Sequence, residues 1–352
     1  MFGPRALINL DAIADNWRMF ARRAGGGQAA AVVKADAYGL GAAHVGPALA
    51  DAGCTRFYVA WPIEGARLRD ILGRAPEIAV FHGPTEDTLG AFEAHDLEPV
   101  LNSIPQVDLW LGSRLSKRRA SLHLDTAMNR LGVPHVEWAE AAQKLPHPRR
   151  LLSHLACGDE FGHPLNAQQQ ARFAAARALW PEARRSFSAT GGAYQGPGFT
   201  LEEIRPGIGL YGGGPNPADG DAPKPVLTLT APVLQVRNVK AGETAGYGAT
   251  WTAGKDCTLA TVGLGYADGF LRAASNKGMG VIGGIKRPIV GRVSMDLIVV
   301  DVTGTNAKPG DEIEFVGPNM PLSEAAVSMG TIDYEFLTRL GSRVERVWSG
   351  AE

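Results

Sequence analysis

Gly212-Gly-Gly-Pro-Asn-Pro-Ala-Asp-Gly-Asp-Ala-Pro-Lys-Pro225 is the stretch whose reading decides the fold. Glycine and proline at this density sustain neither helix nor strand, so it reads as a boundary. The hydrophobic period changes across it. Before it, short apolar runs alternate with alanine-rich amphipathic segments; after it, apolar and polar residues alternate with a period of two. The reading assigns residues 1–215 to one domain and 216–352 to another, in keeping with a length of 352 residues.

Upstream of the boundary the candidate strands are Ala31–Val33, Phe57–Ala60, Ile78–Phe81, Pro99–Leu101, Ser121–Leu124, Leu151–Leu155, Ser186–Ala189 and Ile204–Leu210. Helix-like apolar spacing fills most of the intervals, as in Ala42–Ala50, Glu64–Leu72 and Ala167–Leu179. Repeats of this kind predict an α/β fold, an N-terminal (β/α)8 barrel, in preference to an open doubly wound sheet. No GxGxxG follows the first strand, which argues against dinucleotide binding. Downstream, Val233–Val239, Thr258–Leu264 and Leu297–Val302 alternate, separated by turns such as Lys308-Pro-Gly-Asp311. They predict a mostly antiparallel C-terminal β domain, closed by a short helix near Leu322–Met329.

In a barrel of this type the C-terminal strand ends build the site. Lys34 ends the first strand, in the run Ala31-Val-Val-Lys-Ala-Asp-Ala-Tyr-Gly39. An amine at the mouth of an apolar strand is placed where desolvation lowers its pKa, as Schiff-base chemistry requires. Asp125, His154, Thr190 and Arg205 fall at comparable places. Taken singly, each has an ordinary explanation. His154 could be a core histidine bonded to a backbone carbonyl, Arg205-Pro-Gly-Ile-Gly a strand-edge turn, and Thr190-Gly-Gly a flexible loop. The last two could equally form a phosphate cup of backbone N–H groups. Several such residues at one end of one barrel favour a site.

Bulk properties narrow the function. Thirty-five basic residues balance 36 acidic ones, with no basic run that suggests nucleic acid. No stretch is long and apolar enough to span a bilayer. Met1-Phe2-Gly3-Pro4-Arg5 lacks the apolar region of a secretory signal, and Cys54, Cys157 and Cys257 are isolated. A reduced cytoplasmic protein without disulfides or a cysteine zinc site is expected. His154 and Cys157 have ligand-like spacing but no partner pair, so no metal is expected.

The longer strings carry a family resemblance. Ala31-Val-Val-Lys-Ala-Asp-Ala-Tyr-Gly-Leu-Gly41 resembles the cofactor-lysine segment of alanine racemases, which are fold-type III enzymes using pyridoxal 5'-phosphate (PLP). Leu124-Asp-Thr-Ala-Met-Asn-Arg-Leu-Gly132, Ser153-His-Leu-Ala-Cys-Gly-Asp-Glu160 and Arg205-Pro-Gly-Ile-Gly-Leu-Tyr-Gly212 resemble further segments of that family. Gly246-Tyr-Gly-Ala249, Gly265-Tyr-Ala-Asp-Gly269, Gly291-Arg-Val-Ser-Met-Asp296 and Thr331-Ile-Asp-Tyr-Glu335 follow in the family's order. One string is a weak motif; the ordered set is specific.

The resemblance implies interconversion of L- and D-alanine by two bases, supplying D-alanine for peptidoglycan. It implies that Lys34 carries PLP covalently and acts as one acid/base group, with Tyr247 from the partner subunit of a homodimer as the other. Tyr38, Thr190, the backbone at Gly207 and Ile208, and Tyr334 would bind the cofactor phosphate. Arg205 would face the pyridine nitrogen and His154 would stack on the ring. Arg130 and Met295 would position the carboxylate of a small amino-acid substrate. Tyr266, Arg272, Arg292 and Asp296 would line the way in.

The chain departs from the family pattern at a few positions. His123 stands where many relatives carry a lysine whose carbamate anchors the substrate-binding arginine, Ala127 replaces a glycine, and Ala189-Thr190 replaces asparagine-serine. Threonine keeps the hydroxyl donor, while the carbamate's role would pass to a bound anion such as chloride or to another acceptor. Racemisation of another small amino acid such as serine is the alternative activity. Fold-type III decarboxylases are disfavoured by the Tyr247 and Met295 segments. A non-catalytic PLP-carrier protein is disfavoured because such proteins lack a C-terminal β domain.

Overall fold

The structure is a computed structural model that describes residues 3–215 and 220–350. The linker between the two periods is described only in part, since residues 216–219, where the sequence places the start of the second domain, lie outside the described residues. The chain forms two compact units.

One unit is the barrel, from Ile13 to Leu210 with part of the linker after Gly214. Nine parallel strands run in the order Gln28–Ala29, Glu203–Ile204, Arg184–Ser186, Arg150–Leu152, Ser121–His123, Glu98–Leu101, Glu77–Val80, Arg56–Val59 and Ala31–Val32. The first and last of these are consecutive in sequence, with Ala30 between them. They are one stave, split so that Ala29 pairs with Ile204 and Ala31 with Phe57. The predicted (β/α)8 barrel is therefore present, closed by the splitting of its first strand. Its intervening helices include Ala42–Asp51, Pro62–Leu72, Ile104–Gly112 and Pro164–Ala175. Pro62, Pro164 and Pro105 sit in first turns, where a missing N–H costs nothing.

The other unit is an eight-stranded, largely antiparallel sheet. Its backbone is the long strand Leu227–Val239, which pairs with Arg5–Asn9 and Glu312–Val316 along its first part and with Cys257–Val262 along its second. Met279–Ile282, Ile285–Pro288 and Ile298–Asp301 extend the sheet, and Glu345–Ser349 adds the one parallel pair, alongside Arg5–Asn9. Alternate residues Leu227, Leu229, Ala231 and Val233 are buried, as the period of two requires. Leu322–Ser328 is helical as expected, and a second helix, Asp333–Thr338, follows it.

The packing does not follow the assignment 1–215 throughout: Arg5–Asn9 pairs in the β sheet, and Tyr211–Gly213 groups with that unit as well. A strand buried on alternate residues does not state its partner; that is decided by the edge offered by Leu227–Val239, some 220 residues away in the chain.

Candidate functional site

At the C-terminal ends of the barrel strands, Lys34 follows Ala31–Val32 directly. The backbone from Ala35 to Tyr38 is left-handed, with φ of 54, 54, 53 and 57°. Left-handed turns of L-residues cost about 1–2 kcal/mol per residue, so this one must be held from outside. Glu64 helps: one carboxylate oxygen accepts the Ala35 N–H at 2.7 Å, the other the N–H groups of Ala60 and Trp61. Asp36 accepts from the Ala42 N–H at 2.7 Å, and Gly39, in the left-handed region itself, closes the turn onto the Ala35 carbonyl. The Lys34 amine lies 6.0 Å from the centre of the Phe81 ring. Burial lowers its pKa, the charge of Arg130 lowers it further, and Glu64 acts in the opposite direction.

Arg205 stands immediately after Glu203–Ile204, at the end of that strand; the reading of Ile204–Leu210 as one strand is thereby shortened. Its guanidinium is buried and fixed by two donated bonds, Nη1 to the Ser186 hydroxyl and Nη2 to the Ser153 carbonyl, both 2.6 Å. Nε takes part in neither. His154 lies two residues beyond Arg150–Leu152, and its ring is held well below the usual histidine range by burial and by Arg205 and Arg130. It is therefore neutral at working pH.

A cup built largely without side chains lies beside these groups. The buried Thr190 hydroxyl accepts the N–H groups of Gly207 and Gly209, each at 3.1 Å, and its own proton is left to be donated. The Ile208 N–H donates to no acceptor among the described residues. A Cβ on Gly207 would run into the Tyr38 hydroxyl, and one on Gly209 would come within 2.6 Å of the Phe20 ring and 2.8 Å of the Thr190 methyl. Two hydroxyls and a backbone N–H in a cradle closed to side chains suit a phosphate monoester. With the Lys34 amine in the same unit, the donor set fits PLP.

Asp125 organises the neighbouring loop. Its Oδ1 accepts the N–H groups of Ala127, Met128 and Asn129 at 2.9–3.1 Å, which sets the path of the chain into the exposed Arg130. Gly132 closes the loop with φ +109°, where a Cβ would lie 2.6 Å from the Asp125 nitrogen. His123 bonds through Nδ1 to Asn102 Oδ1 at 2.8 Å, and burial with the charges of Arg205 and Arg130 pushes its pKa down to about 3.

The β unit holds the remaining predicted residues. Gly246 and Gly248, either side of Tyr247, pack on Arg292. Tyr266 donates its N–H to Ser294, and Ala267 donates to the Met295 carbonyl at 3.0 Å. Gly265 fits against the Met295–Asp296 peptide so closely that a side chain there would collide. The carbonyl of Arg272 accepts from Ser275, whose oxygen accepts the Val293 N–H. Tyr247 is 74% and Met295 53% exposed in the single chain. Tyr334 lies in the helix Asp333–Thr338 of the same unit.

Residues 8–215 match the family model "Alanine racemase, N-terminal domain", and residues 226–348 match "Alanine racemase, C-terminal domain". The chain belongs to the alanine racemase family. It is 44% identical over 356 residues to an alanine racemase of Rhodospirillum rubrum, covering 97% of this chain and 95% of that one. It is 46% identical over 344 residues to an alanine racemase of Cereibacter sphaeroides, covering 96% of each. Among solved structures, alanine racemase from Bartonella henselae with covalently bound pyridoxal phosphate superposes with a TM-score of 0.93 at 36% identity, over 99% of this chain and all of the other. The biosynthetic alanine racemase from Pseudomonas aeruginosa gives 0.92 at 35% identity, with the same coverage.

Within this racemase fold, Lys34, Tyr38, Arg130, His154, Thr190, Arg205, Gly207 and Ile208 share the barrel unit, while Tyr247, Tyr266, Arg272, Arg292, Met295, Asp296 and Tyr334 share the other. Several participants escaped the sequence reading. Glu64 is an ordinary helix residue by pattern, yet it holds the turn after Lys34. His82 has its pKa lowered by burial and by Lys34 and Arg130, and Trp61 meets it edge-on at 4.3 Å. Arg343 bridges Asp268 and Asp296, at 2.8 Å from each. No sequence pattern points to Arg343, because its partners lie 47 and 75 residues away.

Proposed function

We propose that this chain is a PLP-dependent alanine racemase in which Lys34 and a partner subunit's tyrosine at position 247 are the two acid/base groups. The observation that carries the reading is the barrel-end assembly: an amine with a lowered pKa, a donor-only guanidinium pinned by Ser186 and Ser153, and the Thr190–Gly207 cup. Racemisation takes the α-proton from one face of the carbon and returns a proton to the other, so two bases must flank it. PLP, when bound, supplies the electron sink for the pair left on that carbon.

The protein supplies the rest. Lys34 is available as a neutral amine at lower pH than an exposed lysine, because burial and Arg130 both disfavour its ammonium form. Arg205 donates and holds its proton, so a ring nitrogen facing Nε would stay unprotonated, which limits transamination. Arg130 offers an exposed, planar, permanently charged group for the substrate carboxylate, with Met295 beside the same substrate. With PLP bound, the neutral His154 would stack on its ring, and Tyr38, Thr190, the backbone at Gly207 and Ile208, and Tyr334 would hold its phosphate. Tyr266, Arg272, Arg292 and Asp296 line the approach. The exposure of Tyr247 in one chain supports its use by a second copy, as a homodimer with shared sites. Three free cysteines support a cytoplasmic enzyme, and supply of D-alanine for peptidoglycan completes the reading. No helix among the described residues is long and apolar enough to cross a membrane.

The test is spectroscopic. Purified protein should absorb in the visible from bound cofactor, and borohydride should fix the cofactor on the peptide containing Lys34. Lys34→Ala should lose both the fixed cofactor and alanine racemisation. A Lys34→Ala variant that kept both would end this assignment.

A further inference from the structure

The opposite ends of the same barrel strands carry chemistry that racemisation does not use. Three successive loops enter the strands there with basic pairs: Arg118-Arg119 before Ser121–His123, Arg149-Arg150 at Arg150–Leu152, and Arg184-Arg185 at Arg184–Ser186. Arg119, His147, Arg149, Arg150 and Arg184 line one open cleft of about 320 Å³. All five are cationic or can become so, and the volume lies at the small end of ligand sites.

The strand starts below the cleft hold a buried ion cluster. Arg56 pairs with Glu77, Glu98 and Glu203, and Arg150 with Glu203 at 2.7 Å. Arg149 pairs with Glu77 and with Glu98. Arg56, Arg149 and Arg150 thus match the three carboxylates in number, and neither Arg119 nor Arg184, on the rim, has a carboxylate within ion-pair distance among the described residues. These two rim charges are the cleft's excess. The Arg149 guanidinium is pushed down to about 10, first by burial and then by Arg150, Arg56 and Arg184. Arg149 Nε and Arg150 Nη1 are buried and make no hydrogen bond, although carboxylates lie 3.3 and 3.6 Å away. Buried guanidinium N–H groups that sit at ion-pair distance without a formed hydrogen bond, under two rim guanidinium groups that no carboxylate compensates, suit an anion with several acceptor oxygens.

We propose that the N-terminal mouth of the barrel binds a small oxyanion carrying two or more negative charges, of the phosphate-ester or pyrophosphate class. Guanidinium forks match phosphate oxygens in pairs, and a single negative charge would leave the cleft's excess only half neutralised. Arg119 and Arg184 reach from the rim, and Arg149 and Arg150 meet the anion from below. The site is distinct from the Thr190 cup, which lies at the other end of the strands.

The probe is sodium pyrophosphate, titrated calorimetrically into the PLP-loaded protein, with sodium chloride at matched ionic strength as reference. Loaded protein is used so that the cofactor phosphate fills the cup. We expect saturable binding of one pyrophosphate per chain. An Arg119→Gln/Arg184→Gln double variant should bind about tenfold or more weakly, since two charge-assisted contacts are lost. Both side chains are exposed, so folding and alanine racemisation should be unchanged. Absence of saturable binding at matched ionic strength would overturn the proposal. So would undiminished binding by the double variant.

Discussion

At Ala127 the backbone takes φ +123°, a conformation that a Cβ disfavours and that costs about 1–3 kcal/mol outside glycine. Three N–H groups directed at Asp125 hold it there. Ala127→Gly should therefore stabilise the protein by about 1 kcal/mol while leaving Arg130 in place, read as a rise in urea midpoint with the Michaelis constant for alanine unchanged. His123 gives a second prediction at this scale. Its pKa falls from 6.5 to about 3 on folding. Above pH 6.5 it contributes nothing to the pH dependence. Below 6.5 the unfolded chain binds a proton that the native state refuses, so stability falls with acidification, by up to about 1.4 kcal/mol per pH unit. Urea unfolding at pH 6 and pH 5 should show this slope in the wild type and a shallower one in His123→Gln. Equal slopes would place the acid sensitivity elsewhere.

At the scale of elements, two features were legible only in part. The apolar runs announced the barrel strands, but their first residues are not apolar: Arg56, Glu77, Glu98, Ser121, Arg150 and Glu203 begin them, and most of these are buried in the barrel's lower end. Charged residues beside an apolar run read as a loop until closure of the barrel puts them face to face. Arg56 holds Glu98 and Glu203 in a buried cluster and keeps the Glu98 carboxyl below its ordinary range, against burial. Arg56→Met should destabilise the barrel by about 3–5 kcal/mol, because Glu98 and Glu203 both lose the fully buried guanidinium they share. Chemical denaturation measures it; a loss below about 1 kcal/mol would mean that the cluster is already satisfied without Arg56. The left-handed turn after Lys34 was legible only as a glycine-rich exit. The two alanines of Ala-Asp-Ala disfavour the left-handed region, so the turn depends on Asp36 within it and on Glu64, which lies 29 residues from Ala35 and is not weighed by local sequence.

At the scale of the whole molecule, the predicted site residues are shared between two units of the fold. If Lys34 and Tyr247 act on one substrate from different subunits, inactive Lys34→Ala and Tyr247→Phe chains should regenerate activity when mixed. Random exchange of equal amounts would return up to about a quarter of the wild-type sites in the whole mixture, since about half of the dimers are hybrids and one of the two sites in each hybrid is intact. Demonstrated exchange without recovered activity would place both bases in one chain.

The sequence by itself determined the two periods, the glycine- and proline-rich break between them, and the residue types at the barrel's strand ends. These are local properties: a period of two or of 3.6, a turn that only glycine tolerates, an amine or guanidinium following an apolar run. It also determined the family, because ordered strings along the whole chain are a one-dimensional record. The tertiary structure alone decided that Arg5–Asn9 joins the β unit, that the first barrel strand is split, that Glu64 holds a left-handed turn, and that basic residues from three loops share a cleft. Each of these depends on groups tens to hundreds of residues apart. Such contacts form only when burial and hydrogen bonding close the chain on itself, and no local pattern records which partner will be there.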